Sequence, residues 1–226
     1  GMDALLGMAV YVGTVLLALL ILFITYLIMI FFIAREHPLS FIRSIRDVML
    51  LAFSTSSSAA VMPLSIKTAE EKLHVRPSVS QFVIPLGATI NMNGTALYQG
   101  VAALFLAQVF GIEIGLSGMV LIILTSVGAS IGAPATPGVG IVVLAMVLDS
   151  VGIPPAGIAL IMGVDRILDM SRTAINVTGD LVAAKLMDRW VGSKLTLTEE
   201  LKEESLHEDI REKTGLDVLT PENVKV

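Results

Sequence analysis

Residues 165–180 read DRILDMSRTAINVTGD, and the placement of their charges decides the fold. An α-helix turns about 100° per residue, so Asp165, Asp169, Arg172, Asn176 and Asp180 fall within a stripe roughly 80° wide, with Thr173 at its edge. In a water-soluble chain such a stripe is a solvated face. The surrounding sequence argues for another setting. The 226 residues are 54% hydrophobic and 15% charged, with a mean hydropathy of +0.83, too apolar for an ordinary soluble domain. At membrane depth ionisable groups are costly, face a bundle interior or a cavity, and mark a path for ions or substrate.

The chain has no cysteine, which excludes disulfides, thiol catalysis and thiolate metal sites. Its net charge is −5 and uneven: from Lys194 onward there are nine acids and five bases, so the acidity belongs to a tail and says nothing of a nucleic-acid partner. No signal peptide is visible, because the first apolar run is far too long and no basic segment precedes it.

Outward from the striped segment, predicted to be a helix over 155–190, the chain alternates long uncharged runs with short charged ones. Residues 5–34 predict one tilted spanning helix. Residues 48–66 are uncharged, with the serine run 54–58 at their centre and Pro63 after it; the lysines 67 and 72 close this element at 72. Residues 77–112 are interrupted at Gly87, at 91–95 (NMNGT) and at Gly100, which predicts a broken helix. Residues 114–150 have 128–140 (GASIGAPATPGVG) at their centre. A charged tail over 193–226 is expected to be solvated.

Lys and Arg fix the topology. Outside the striped helix they cluster at 35–46, 67–76 and from 185 onward, while the connections near 111–117 and 148–156 have none. Basic loops prefer the cytoplasm. Both early basic loops lie inside if 48–72 is a hairpin that enters and leaves on one face. The same logic makes 114–150 a hairpin re-entering from the opposite face. Each has helix breakers or small polar residues where its tip falls, and such backbone is tolerated at depth only where it lines a cavity or is buried in protein. Hairpin plus helix, then hairpin plus helix from the other side, is an inverted repeat, the signature of a secondary transporter with its site between the repeats. The expected fold is therefore an all-α membrane protein, multi-pass in the cell membrane, with residues 1–192 as its transport core and a cytoplasmic tail.

The chemistry follows from residue types. The serine run offers hydroxyls and helix-end amides to an anion such as a carboxylate. The glycines of 128–140 let backbone carbonyls face a cation or let a gate move. The break at 91–95 frees carbonyls, and the Asn91 and Asn93 side chains are hard oxygen ligands suited to an alkali cation. Enzyme readings fare badly. His37, His74 and His207 all lie outside the apolar runs, which argues against a serine–histidine pair in the membrane. Asp169 and Asp180 share a face, but Arg172 between them would hold both ionised, which is wrong for a dyad sharing one proton.

Four motifs in order, SSS (56–58) with MPL (62–64), GATINMNGTAL (87–97), the glycine-rich second tip, and DMSRTAINVTGD (169–180), make the chain resemble the glutamate/aspartate:cation symporter family. The resemblance covers about residues 5–192 and corresponds to the C-terminal part of the family fold, without the helices that form the trimer scaffold. It implies an elevator-type transport domain that carries an acidic amino acid, glutamate or aspartate, with sodium or protons, within a homotrimer. By position it implies that Arg172 pairs with the side-chain carboxylate of the substrate. Asp169 takes the ammonium group. Ser57, Ser58, Thr95, Thr173 and Asn176 hold the remainder. Asp180 would be the charged ligand of one sodium ion, with Gly87, Asn91 and Asn176. Thr89 with the Ser130 and Ile131 carbonyls would hold another. Asn93 stands where many relatives carry an aspartate of a further cation site. Two other readings stay open at this stage: an anion-conducting channel through the same cavity, and a truncated fragment without activity of its own.

Overall fold

The computed structural model describes residues 2–214, with side chains at Met2 and over 5–192. The chain divides into two compact units, 1–186 and 187–226. Among the described residues every regular element is a helix.

Helix α1 (Met2–Met29) runs into a π-helical turn, Ile30–Ala34, that stops where Arg35 adopts a left-handed conformation at φ 55°. Together they make the described stretch long and apolar enough to cross a membrane, Leu5–Ala34, 30 residues of mean hydropathy 3.1. At ~1.5 Å rise per residue its length exceeds a ~30 Å hydrocarbon core. Its outer face is apolar and open: Leu5 and Phe32 are each 70% exposed. The inner face buries Tyr11, Val15, Leu19 and Tyr26.

Helices α2 (Pro38–Thr55) and α3 (Ser58–Glu71) form the first pair. Pro38 occupies the first turn of α2, where its missing N–H costs nothing. The arm thus starts upstream of residue 48, where the uncharged run begins. Its first turns carry Arg43, Arg46 and Asp47 on an amphipathic helix rather than in a loop. At that polar end a hydrogen bond from Lys72 Nζ, 3.2 Å, and a second from Arg46 hold the exposed Asp47 carboxyl below its usual range. The turn between α2 and α3 is two residues long. Ser56 is left-handed at φ 53°, and Ser57 caps α3, its Oγ accepting the Ala60 N–H at 3.2 Å.

The expected broken helix is two helices, α4 (Pro77–Ile90) and α5 (Asn93–Val109), parted at Asn91 and Met92. The second pair is α6 (Leu116–Ser130) and α7 (Val139–Ser150), joined by residues 131–138 with Gly132 and Gly138 both at φ 78°. Side chains rarely adopt that backbone. After the 3₁₀ turn Pro155–Gly157, α8 runs from Ile158 to Thr214, so helix continues beyond residue 193 into the region read from sequence as a tail. Residues 215–226 of that tail lie outside the described residues.

Helix α5 packs against α1, α6 and α7, while α3 packs against α2 and α4. One buried cluster joins these helices to α8 through Leu168, Val177, Leu181 and Ala184. The polarity is inverted relative to a soluble domain. Large apolar side chains face outward on α1, α6 and α7 (Leu116 80%, Val142 70%), while Asp165, Asp169, Arg172 and Asp180 are 6% exposed or less.

Candidate functional site

Helix α8 brings its polar stripe against three non-helical segments: the tip between α2 and α3, the break between α4 and α5, and the tip between α6 and α7. The stripe is buried rather than solvated, with Thr173 at 5% and Asn176 at 4% exposure.

The two tips touch. Ser57 Oγ donates to the Ala135 carbonyl at 2.8 Å, and the Ala59 N–H reaches the same oxygen at 3.4 Å. Beneath them lies a cavity of about 10 Å³ lined by Ser56, Ser58, Thr95, Thr136, Asp169, Arg172, Thr173 and Asn176, among others. That is room for one water. Six of the seven residues that the resemblance assigned to substrate line it. The seventh, Ser57, holds its roof through Ala135.

Arg172 is the centre of the cavity wall. Its Nη2 donates to Asp169 Oδ1 at 2.8 Å, three residues back on the same helix face. Its Nη1 lies 3.7 Å from Asp165 Oδ1, within ion-pair range but too far for a hydrogen bond, and both atoms are buried without hydrogen-bond partners. The guanidinium carbon sits 4.4 Å from the centroid of Tyr98, a cation–π distance. On another side the group lies directly against Gly140 of α7, where any side chain would overlap it. Asp169 is held in turn, its Oδ2 accepting the Gly138 N–H at 2.9 Å. The α6–α7 tip is thus latched to α8 through Asp169, one of the two charged residues that line the cavity.

Asn176 repairs the break in the α4–α5 rod. Its Oδ1 accepts the Gly94 N–H at 2.7 Å, and its Nδ2 donates to Thr95 Oγ1 at 3.1 Å. In a continuous helix the Gly94 N–H would bond the Ile90 carbonyl, so that oxygen is released from its helical partner. A second group surrounds Asp180. Asn91 Nδ2 donates to its Oδ1 at 3.0 Å. Gly87 packs so closely that an added Cβ would stand 2.5 Å from that oxygen. Asn93, exposed on α5, donates from Nδ2 to Asn91 Oδ1 at 2.8 Å and to Tyr26 Oη at 2.9 Å. A third group joins α4 to the second tip. The Gly132 N–H donates to the Thr89 carbonyl at 2.7 Å, and the Ser130 carbonyl accepts the Ala133 N–H at 3.3 Å. Thr89 Oγ1 turns back to Leu86 O at 2.8 Å, and the Ile131 side chain is 53% exposed.

Tyr98, Gly140 and Tyr26 were not singled out from sequence. Two tyrosines in apolar runs read as core, and Gly140 reads as one more tip glycine. The spacing of Tyr98 from Thr95, three residues and so one helical face, was the available signal. Arg166 stands outside the cavity lining, its Nη2 3.5 Å from the Ser54 carbonyl at the end of α2.

Over 181 residues the chain is 45% identical to human excitatory amino acid transporter 5, covering 80% of this chain and 32% of the relative. It is 42% identical over 181 residues to an excitatory amino acid transporter of Caenorhabditis elegans, covering 80% and 36%. It is 41% identical over 192 residues to the proton/sodium-glutamate symport protein of Bacillus subtilis, covering 85% and 44%. The chain therefore spans a third to under half of the length of these relatives, all of which are transporters. Residues 1–190, which include both tips, the break and the polar stripe, match the model of the sodium:dicarboxylate symporter family, so this membrane protein belongs to that family of transporters.

Proposed function

We propose that this chain is the substrate-carrying core of a symporter that moves an acidic amino acid, glutamate or aspartate, together with sodium. The observation that carries the reading is the buried Arg172 guanidinium facing a cavity between two tips, with one nitrogen short of an acceptor. A planar fork matches a carboxylate in two-point contact. The side-chain carboxylate of the substrate takes Nη1 and draws Nη2 from Asp169. Asp169 then receives the substrate ammonium. The α-carboxylate lies against the amides at the head of α3, Thr173 and the Asn176 amide.

Charge balance supports cation coupling. Among the described residues the buried charges are three carboxylates, Asp165, Asp169 and Asp180, and one guanidinium, Arg172. Fully ionised they leave two net negative charges at membrane depth, and an acidic amino acid adds a third. Buried uncompensated charge is costly, so monovalent cations accompany the substrate. Asp180, wrapped by Gly87 and Asn91, is the first place for one, with the released carbonyls of the α4–α5 break at hand. Thr89 and the end of α6 at Ser130 and Ile131 are the second.

A cavity for one water does not admit an amino acid, so a tip must open. The α6–α7 tip is the gate: Ala135, Thr136 and Val139 roof the cavity, and the left-handed glycines 132 and 138 flank the segment. Both helix pairs are re-entrant, related as an inverted repeat, and the unit moves as an elevator within a homotrimer built by further helices. The tail is cytoplasmic and the membrane is that of the cell. The names of the relatives, glutamate and excitatory amino acid transporters, support the substrate class. Arg172→Cys tests it directly. Binding of aspartate should fall by two orders of magnitude or more while a neutral amino acid of similar size loses far less; equal losses would remove Arg172 from carboxylate recognition.

A further inference from the structure

Asp180 lies at one end of a hydrogen-bonded chain whose far end is on α1. Asn91 Nδ2 donates to Asp180 Oδ1 at 3.0 Å; Asn93 Nδ2 donates to Asn91 Oδ1 at 2.8 Å and to Tyr26 Oη at 2.9 Å. With Asp180 ionised, as a sodium ligand is, the direction of the chain follows. An ionised carboxylate only accepts, so Asn91 turns its amide nitrogen to Asp180. Its oxygen then faces Asn93, which must offer nitrogen in turn, and that nitrogen also finds the phenol oxygen. Tyr26 is 6% exposed, and Gly179, next to Asp180, leaves the room it occupies: an added Cβ there would stand 2.6 Å from Tyr26 Oη and 3.0 Å from Asn91 Nδ2.

We infer that Tyr26 and Asn93 are positioning residues for the cation site at Asp180, acting through the Asn91 amide. The inference rests on Asp180 being a sodium ligand. By fixing Asn91 as a donor, the relay holds the Asp180 carboxylate against Gly87 in one orientation before the ion arrives. It also ties the cation site to α1, a helix that carries neither a tip nor a break. Asn93 is essential to the polarity: a carboxylate there would face the Asn91 oxygen, acceptor against acceptor, unless the Asn91 amide turned over or a cation or proton came between.

The test titrates sodium against thermal unfolding of the chain in detergent, at constant ionic strength with choline as the replacement cation. It uses the wild type, Tyr26→Phe, Asn93→Ala, the double variant and Asp180→Asn, and the same variants are titrated in the chain preceded by the N-terminal helices of a relative. Tyr26→Phe keeps the ring and removes only the hydroxyl. The half-saturating sodium concentration should rise about fivefold in Tyr26→Phe, the worth of one neutral hydrogen bond. Asn93→Ala should raise it at least as far, and the double variant no further than Asn93→Ala alone. A Tyr26→Phe variant that lowers only the sodium-free midpoint, or that leaves the titration unchanged while Asp180→Asn shifts it, overturns the relay and leaves the cation site standing. An Asp180→Asn titration identical to wild type overturns both.

Discussion

Replacing Gly87 by alanine probes the tightest packing around the candidate cation site. The added Cβ would stand 2.5 Å from Asp180 Oδ1, 3.0 Å from Cγ and 3.4 Å from Cβ. Ordinary contact begins near 3.4 Å, so the carboxylate must retreat by roughly 1 Å. It has little room to do so, being 2% exposed and held on its Oδ1 by Asn91. Overpacking of this kind costs about 1–3 kcal/mol, and the helical gain from glycine to alanine returns about 0.5–1 kcal/mol. The net loss is up to about 2.5 kcal/mol, which in a chain of this length lowers the unfolding midpoint by up to about 10 °C. The larger effect falls on the ion, because a ligand moved by 1 Å no longer matches the cation. Thermal unfolding in detergent, titrated with sodium against choline, should show the midpoint drop and an increase in half-saturating sodium of about tenfold. Gly87→Ala with a wild-type midpoint and a wild-type sodium titration would mean that the carboxylate does not rest on Gly87, and the account of the Asp180 site would fail.

Other substitutions address the tips. Ser57→Ala removes both the cap of α3 and the bond to Ala135, a loss of about 1–2 kcal/mol; amide hydrogen exchange over residues 131–138 should accelerate, and unchanged exchange would show that Ser57 does not pin the second tip. Gly138→Ala places a side chain at φ 78°, at a strain of about 1–2 kcal/mol, and displaces the N–H that Asp169 accepts. Substrate affinity should fall several-fold with the Arg172→Cys selectivity pattern absent; wild-type affinity would count against the latch.

The polar stripe on α8 was legible because charge in an apolar chain is rare and the helical period places it on one face. The break at Asn91 and Met92 and the two tips were legible for a similar reason: Asn, Gly, Ser and Pro punctuate runs that otherwise have no reason to stop. What escaped were partners whose residue types carry no charge and read as core or turn. Gly140 matters only because the Arg172 guanidinium reaches it from another helix, and Tyr26 and Tyr98 look like ordinary core aromatics until the chain folds. Charge alone does not distinguish loop from helix. The first turns of α2 bear Arg43, Arg46 and Asp47 yet are helical, with Pro38 setting the start. Residues 194–214 are rich in Leu, Glu and Lys, which are good helix formers, so α8 extends into a segment whose charge had suggested a tail. Side-chain direction is the deepest limit. Composition shows that Asn91 and Asn93 own oxygens, but only the fold shows that Asn91 gives its nitrogen to Asp180 and takes its neighbour's with its oxygen.

The central claim is coupled transport of an acidic amino acid. Uptake of radiolabelled aspartate should be measured in proteoliposomes holding this chain preceded by the N-terminal helices of a relative such as the Bacillus subtilis protein, with the chain alone in parallel. With an inward sodium gradient the completed protein should accumulate aspartate above equilibrium, and collapsing that gradient should abolish accumulation. Absence of accumulation under sodium and proton gradients alike, from a protein that is folded and correctly inserted, would contradict the account.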